Sequence, residues 1–494
     1  MKNFIFFTIF AFVLCLCACS ITEERIKAEY DKSDYKKTYR SIQKTISSNN
    51  NNVLLWQMQS GFLTFSQFGP VFSLIDLEKA ESIYKKYEQE GILSSTFSSM
   101  AATLSNDNAI PYKGNVYEGS LLNFYKALAY SSIGDFVNAR VEFNRANDRQ
   151  RRAKEYYKKE IQKAHDNAIK NANKKKESKD YTLNTSKSSI NNIIKLKYSN
   201  LDNFAIYKDL INPIIPYTSG IFFMIENDYS KAVDLLKESY GISRSDVILS
   251  DMELLESRRF EKDINNYTWF IVEDGDISRK QGNTFSTPII INSNITSINL
   301  AMPTIYNIKP NFNNYKINDY KTDRIVELSN IFVSEFEKQL PSIITRAIIG
   351  AIVKFITIYA ISGATSGDYD SIAGLFANIA FSLMTYPDTR NSFVLANSIH
   401  VVRIPNDIEN VTLYGDNTKL LNIKLTQDCN SIGKRIESSK DFTTLIEKDP
   451  NDFNTRIKLF EKYKKSKDIC TKTDNIVYVR VRNNMATHFI IKGD

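Results

Sequence analysis

Three histidines, His165, His400 and His488, are scattered along the 494 residues, and none stands at metal-ligand spacing from another His or a Cys. No HExxH, CxxC pair, nucleophile elbow or phosphate-cradling glycine loop occurs. Ser41-Ile42-Gln43-Lys44 fits the SxxK pattern, in which a lysine can activate a serine. Its companions fail, because Lys321-Thr322-Asp323 and Lys472-Thr473-Asp474 lack the glycine of KTG and Ser105-Asn106-Asp107 is not SDN. Glu273, Asp274 and Asp276 crowd one turn and carry the oxygens that calcium takes, but a solvated hairpin accounts for them as well. Arg140, Arg145, Arg149, Arg151 and Arg152 decorate one helical stretch, as a binding groove or as a wet face. Of these, Arg140, Arg145 and Arg149 are the candidate protein-binding residues. The expectation is a protein with no catalytic residues, no metal and no cofactor.

The elements that position these residues begin with the stretch 117–152. Leu121, Leu122, Tyr125, Leu128 and Ala129 recur at helical spacing, and Ala139, Phe143 and Ala146 repeat the stripe. Between them Gly134 can take the φ > 0 geometry that ends one helix, and Asp135 can cap the next. The pair resembles a tetratricopeptide repeat, whose second helix carries small, aromatic and small residues in this order. Residues 53–68 and 77–90 predict a second helical pair, with Ala80, Tyr84 and Tyr87 in the matching places. Residues 217–240 predict a third, with Asp228, Ala232, Leu236 and Ser239 falling on Asp135, Ala139, Phe143 and Ala146. Further helices are expected at 35–46, 246–261 and 322–338, and residues 174–189 read as a polar surface linker.

The N-terminus carries the most specific signal. Lys2 precedes an apolar run from Phe4 to Ala18, too short for a comfortable span and suited to a secretory h-region. It ends Leu16-Cys17-Ala18-Cys19, which resembles the lipobox of bacterial lipoproteins. That resemblance implies a signal peptide over 1–18 and acylation, as by palmitate, of Cys19. The acyl chains would hold the protein on a membrane at about 0.8 kcal/mol per buried methylene. Ser20 after the cysteine suggests the outer membrane, facing the periplasm; an uncleaved anchor helix is the alternative. The net charge of +8, from 64 basic and 56 acidic side chains, suits such a surface, and no nucleic-acid recognition motif accompanies it. Cleavage would leave only Cys429 and Cys470, which read as a disulfide or as two separately buried thiols.

After residue 265 the period changes. Strands are expected at 268–273, 287–291, 297–301, 399–404, 411–414, 421–425, 476–482 and 488–492. Tyr478, Arg480 and Arg482 alternate with Val477, Val479 and Val481, as in a sheet with one wet face. Residues 343–362 and 372–385 form an apolar helical hairpin, buried under the β layer or touching membrane; Arg346 and Lys354 argue against a simple span. The expected fold is α+β: a tetratricopeptide-like helical domain over 19–265, then a mixed domain over 266–494 with an antiparallel β layer packed on the hairpin.

Four features together resemble an uncharacterised family of bacterial envelope lipoproteins. They are the helical segment 123–150, the Phe270–Gly275 turn (FIVEDG), the helix 340–354 and Asp388-Thr389-Arg390 before the strand that ends at Pro405. Members of that family carry a Trp soon after the Asp-Thr-Arg run, where Asn391-Ser392-Phe393 stands here. The resemblance implies a lipid-anchored envelope scaffold that binds a protein partner, beside the machinery of peptidoglycan or envelope assembly, and it brings no catalytic residues. The competing reading is a glycan-binding protein or envelope enzyme, which needs exposed aromatic faces; only Trp56 and Trp269 supply indoles.

Overall fold

The computed structural model describes residues 23–48, 51–90, 111–152, 184, 186–198, 211–291, 294–365, 387–429 and 468–493. Its first half is helical: α1 (residues 23–31), α2 (Tyr35–Ser47), α3 (Val53–Gln67), α4 (Pro70–Glu90), α5 (Val116–Ser132), α6 (residues 136–152), α7 (Lys187–Lys197), α8 (Ile214–Ile225), α9 (Tyr229–Ser243) and α10 (Asp246–Arg259). The expected stripe of α5 and α6 is buried throughout, with Ala139, Phe143 and Ala146 fully covered. Gly134 takes φ 75 between them. Its N–H donates to Ser131 O and that of Asp135 to Tyr130 O, both at 3.0 Å, closing the end of α5. Asp135 Oδ1 then accepts the Asn138 N–H at 3.1 Å and caps α6.

Among the described residues this turn, with an aspartate capping the helix that follows, occurs three times. At Asn227 (φ 61) the N–H groups of Asn227 and Asp228 donate to Met224 O and Phe223 O, and Asp228 caps α9. At Ser33 (φ 59) the same pattern closes α1, and Asp34 Oδ1 accepts from Lys37 N–H at 3.1 Å to cap α2. Sequence reasoning missed this third copy because Thr38, Ile42 and Thr45 stand where Ala139, Phe143 and Ala146 do. Threonine hides the small-residue pattern, yet it fits: Thr38 and Thr45 each bond their hydroxyl to the carbonyl four residues back, at 2.8 Å.

Close approach of helices is visible at Gly119. A Cβ there would meet the ring end of Tyr84, which is fully buried and donates its hydroxyl to Asn115 O. Gly119→Ala gains about 1 kcal/mol of helix propensity but forces overpacking that costs about 1–3 kcal/mol. The ring is pinned at both ends, so overpacking should win. A urea melt is expected to show a lower midpoint than wild type; a higher one would mean the ring can swing away.

The second half begins with β1 (Tyr267–Asp274), then β2 (Arg279–Ile291), β3 (Asn294–Tyr306), β4 (Tyr315–Ile317), β5 (Tyr320–Lys321) and β6 (Asp323–Glu327). After helix α11 (Leu328–Thr365) come β7 (Ser398–Pro405), β8 (Asn410–Gly415), β9 (Thr418–Thr426), β10 (Ile469–Cys470), β11 (Asn475–Arg482) and β12 (Met485–Lys492). One five-stranded sheet has the order β12-β11-β1-β7-β6, another β10-β9-β8-β4-β5, and β2 and β3 form a two-stranded ribbon. Pairing is antiparallel except for β1 with β11 and β10 with β9. The fold is α+β.

The first sheet is covered on both faces, which is why residues 269–272 of β1 are continuously apolar. Trp269, Ile271, Ile476 and Tyr478 point into a core shared with the helices, whereas Phe270, Val272, Val477, Val479 and Val481 point into a core shared with the second sheet. The wet face expected for β11 is therefore corrected: all eight of its residues are buried, and the polar alternates lie under helices. Residue 265 marks a change of secondary structure and no break in packing, because one core runs from Ile26 to Ile491.

Other boundaries move as well. Helix α4 starts at Pro70, whose fixed φ suits a first helical position. Strand β3 continues past Pro303 to Tyr306. The helix expected over 322–338 begins only at Leu328, because residues 323–327 pair with β7 as an edge strand. It then runs unbroken through Pro341 into the apolar stretch, so the expected two segments are one helix. Ile344, Ile348 and Ile352 of α11 are buried against the rest of the core. The second arm of the expected hairpin, 372–385, and residues 174–183 and 185 of the expected linker lie outside the described residues, while Ser186 caps α7 and residues 187–189 open it, so the linker does not extend that far. Among the described residues no helix is long and apolar enough to cross a membrane.

Candidate functional site

The arginines of α6 separate by position on the helix. Arg149 is 6% exposed and belongs to the interior, which corrects its assignment to a binding surface. Its guanidinium donates to Glu81 (3.0 Å), Glu88 (2.7 Å), Gly119 O (3.0 Å) and Asn123 Oδ1, and stacks on Tyr84. Burial opposes a charged Glu81, but the charge and hydrogen bonds of Arg149 outweigh it and hold the carboxyl below the usual carboxylate range. Alongside, Lys126 pairs with Glu142 at 3.2 Å and Glu78 at 3.0 Å.

Arg140 and Arg145 stay outside. Arg140 bridges to Asp228 on the next repeat turn at 2.7 Å and lies over the Phe223 ring, while Arg145 turns back to Glu142. Arg151 reaches Glu238 on α9. The exposed stripe of α6 carries Val137, Val141, Arg145, Asp148 and Arg152.

The carboxylates at the end of β1 are not a solvated hairpin: Glu273 and Asp274 are buried under the helices and the second sheet. Glu273 accepts hydroxyl bonds from Tyr125 at 2.5 Å and Tyr478 at 2.6 Å, and burial pushes its carboxyl up despite the charge of Arg480. Asp274 accepts the backbone and side-chain N–H groups of Asn311 at 3.0 and 2.9 Å, and burial raises it too. Asp276 receives Arg482 through two bonds of 2.7 and 2.9 Å. Arg482 also donates to Tyr30 O at 2.9 Å with its guanidinium 3.9 Å from the Tyr30 ring centre. These groups clasp α1 and α5 to the central sheet, and they do not converge on a cation. Among the described residues no His, Cys, Asp or Glu cluster is arranged to hold a metal.

The Asp-Thr-Arg run is also structural. Asp388 accepts Arg390 Nε and Nη2 at 2.8 and 2.9 Å, and Arg390 Nη1 reaches Asn52 at 2.6 Å. Burial works against the Asp388 charge, but Arg390 holds its carboxyl far below the usual range. The buried strap that follows has its backbone satisfied by side chains: Gln59 donates to Asn391 O and Glu118 accepts from Ser392 N–H. Phe393 packs edge-on to Tyr30 at 5.6 Å, so the aromatic place after this run is a core position.

The remaining candidates lie apart. Ser41 and Lys44 sit on α2, Asp323 accepts from Ser245 at 2.6 Å, and Asp474 forms a two-bond pair with Arg258. His165 and Ser105–Asp107 fall outside the described residues, as does Cys19. Cys429 and Cys470 are joined, with Cα atoms 5.3 Å apart, where β10 lies beside β9. Both tryptophans are buried, and Trp269 donates its indole N–H to Asp251, so neither indole offers a stacking face.

His400, on β7, is buried against the Tyr315 ring with Arg324 and Asp323 on the neighbouring strand. Burial first, and the Arg324 charge second, lower it to about 3. A base held this low binds fewer protons folded than unfolded. Its contribution is therefore whole above the unfolded value near 6.5 and is lost as pH falls toward 3. From pH 7 to 5 the loss is about 2 kcal/mol. Buried Glu273, Asp251 and Asp274, all raised, change in the opposite sense as pH rises from the carboxylate range. The difference between wild type and His400→Phe isolates the histidine: urea melts should show the variant gaining on wild type as pH falls to 5. Parallel curves would place a charged or exposed imidazole in the folded protein.

No family model, curated protein or solved structure matches this chain.

Proposed function

We propose that this chain is a lipid-anchored cell-envelope scaffold, acylated at Cys19, that presents its tetratricopeptide-like helices to an envelope protein partner. The observation that carries the reading is the thrice-used turn at Asp34, Asp135 and Asp228, which sets helix pairs in one register. Helix pairs of this kind present a surface on which a few side chains grip a peptide without catalytic groups. The lipobox-like Leu16-Cys17-Ala18-Cys19 supports the anchor, and the periplasmic face of the outer membrane suits the serine after it. The surface on offer is the outer stripe of α6, where Val137 is 75% exposed and stands with Val141 and Arg145, next to Arg140. The buried clasps beneath that stripe keep it rigid, which lowers the ordering cost of binding.

The test is a pull-down with the chain from residue 19 onward, read by mass spectrometry beside sedimentation with purified peptidoglycan. Capture of one envelope protein by wild type, and its loss in Val137→Asp/Arg145→Glu, is the expected result. Sedimentation with the glycan and no protein partner would turn the reading toward a cell-wall glycan-binding protein or enzyme. The anchor is tested apart: the mature terminal peptide should be an acylated Cys19, and Cys19→Ala should leave the membrane fraction.

A further inference from the structure

We infer that the outer face of the second sheet binds an acidic polysaccharide, its lysines meeting the carboxylates and the Tyr414 ring lying beneath a sugar. The inference goes beyond the protein-binding surface of α6 and uses none of its residues. Tyr315, Ile317, Val411, Leu413, Ile423 and Leu425 turn into the core shared with the first sheet. The alternate positions of β4, β8 and β9 therefore face outward.

Cross-strand register arranges what stands there. Lys321 on β5 is opposite Lys316 on β4, Lys316 is opposite Tyr414 on β8, and Tyr414 is opposite Lys419 on β9. With strands about 4.8 Å apart, this row of four spans roughly 14 Å. Further along the same two strands Thr412 faces Asn422, and Asn410 faces Lys424. Lys321, Lys419, Lys424, Asn410 and Asn422 are exposed, whereas Lys316 and Tyr414 are half-buried. Lys316 Nζ lies 5.2 Å from the centre of the Tyr414 ring.

Two like charges placed directly opposite, as Lys316 and Lys321 are, destabilise a sheet. Nothing on this face neutralises them: among the described residues none of the four lysines forms an ion pair. The acids that flank these strands in sequence, Asp319, Glu409, Asp416 and Asp428, sit in the connections. Asp416 is engaged there by the backbone N–H groups of Asn313 and Asn314, at 3.4 and 3.1 Å.

The chemistry of the face selects its occupant. Lysines in a row call for a repeated anion, and a ring between two of them offers a flat apolar surface. Thr412 donates to Asn422 Oδ1 at 2.9 Å, which leaves the Asn422 amide as a donor for hydroxyls beside that ring. A bilayer would use the charges alone and leave ring and carboxamide idle. Single-stranded nucleic acid also combines anions with stacking, so it is the outcome to exclude.

The test uses the chain from residue 19 with Cys19→Ser, run by affinity electrophoresis in gels containing alginate, an acidic polysaccharide, or neutral dextran. Retardation by alginate only, lost in high salt, is expected. Lys316→Gln/Lys419→Gln should weaken it about tenfold, a few-fold for each charge. Tyr414→Leu should weaken it a few-fold with no change of net charge. Lys79→Gln/Lys86→Gln, exposed on α4 and equal in charge, should leave it unchanged. No retardation, equal loss in both lysine pairs, or full retention in Tyr414→Leu overturns the inference. So does oligothymidylate that binds more tightly than alginate at equal charge. Urea melts exclude misfolding: Lys321→Gln should weaken alginate binding while its midpoint holds or rises, since one of two opposed charges is gone. A lower midpoint would remove the premise of an uncompensated row. Failure here leaves the capture experiment on α6 standing, because that one reads a protein partner and changes different residues.

Discussion

Arg149→Ala is expected to destabilise the helical array by about 3–5 kcal/mol, the range for stripping one partner from a buried ion pair. The cause is what the substitution leaves behind. Glu81 is 2% exposed and would keep only the weaker pull of Lys126 and of Lys85, the latter at 3.5 Å. Gly119 O and Asn123 would lose a donor, and Tyr84 the cation stacked on it. Three helices, α4, α5 and α6, meet at this one guanidinium. Lysine cannot span them, since a single ammonium does not reproduce the two-pronged contact with Glu88. Arg149→Lys should therefore fall between wild type and alanine. The paired change Arg149→Met/Glu81→Gln should recover part of the loss, because it removes the orphaned charge along with its partner. Urea melts of the four proteins decide the matter. An alanine variant within about 0.5 kcal/mol of wild type, the range for ordinary surface sites, would put Arg149 back on a wet face.

That arginine also shows where reading the sequence stopped. Ala139, Phe143 and Ala146 were legible because small and aromatic residues at helical spacing leave one packing solution, and the turn residues Gly134 and Asp135 fix where the helices part. The apolar positions of β1, β7, β8, β9, β11 and β12 were legible for a similar reason, whereas β4, β5 and β10, two or three residues each, are too short to show a period. What a sequence does not display is the identity of the layer over a polar position. Arg480 and Arg482 alternate with valines as solvent-facing residues would, yet Tyr30, Glu273 and Asp276 come from distant stretches to cover and neutralise them. Arg149 misleads in the same way, since its four acceptors come from two other helices, α4 and α5. The misplaced start of α11 has a different origin. Ile325 and Val326 continue a helical pattern locally, and only pairing with β7 makes them strand. As for the candidate surface, its exposed stripe on α6 could be drawn from periodicity, but subtracting Arg149 from it required the fold.

Replacing Cys429 and Cys470 together by serine is expected to lower stability by up to about 4 kcal/mol, from the entropy that a closed loop of this length removes from the unfolded chain. The two cysteines are 41 residues apart in sequence and meet where β10 runs parallel to the end of β9. Only two residues of β10 pair there, at the edge of the second sheet, so few backbone bonds hold this edge without the cross-link. Asn475, whose side chain donates to Cys470 O and Thr473 O, then leads directly into β11 of the central sheet. Loss of the bond should thus be felt beyond the edge, as a lower midpoint for the whole chain. Wild type in reductant should match the serine pair, and wild type in oxidant should exceed both. The same bond reports the compartment. Export implies that no thiol of this pair titrates in denatured, non-reduced protein from cells, whereas a Cys19→Ala chain lacking residues 1–18 and retained in the cytoplasm should yield two. Two free thiols in the exported protein would remove both the stabilisation and the oxidising setting from which it follows.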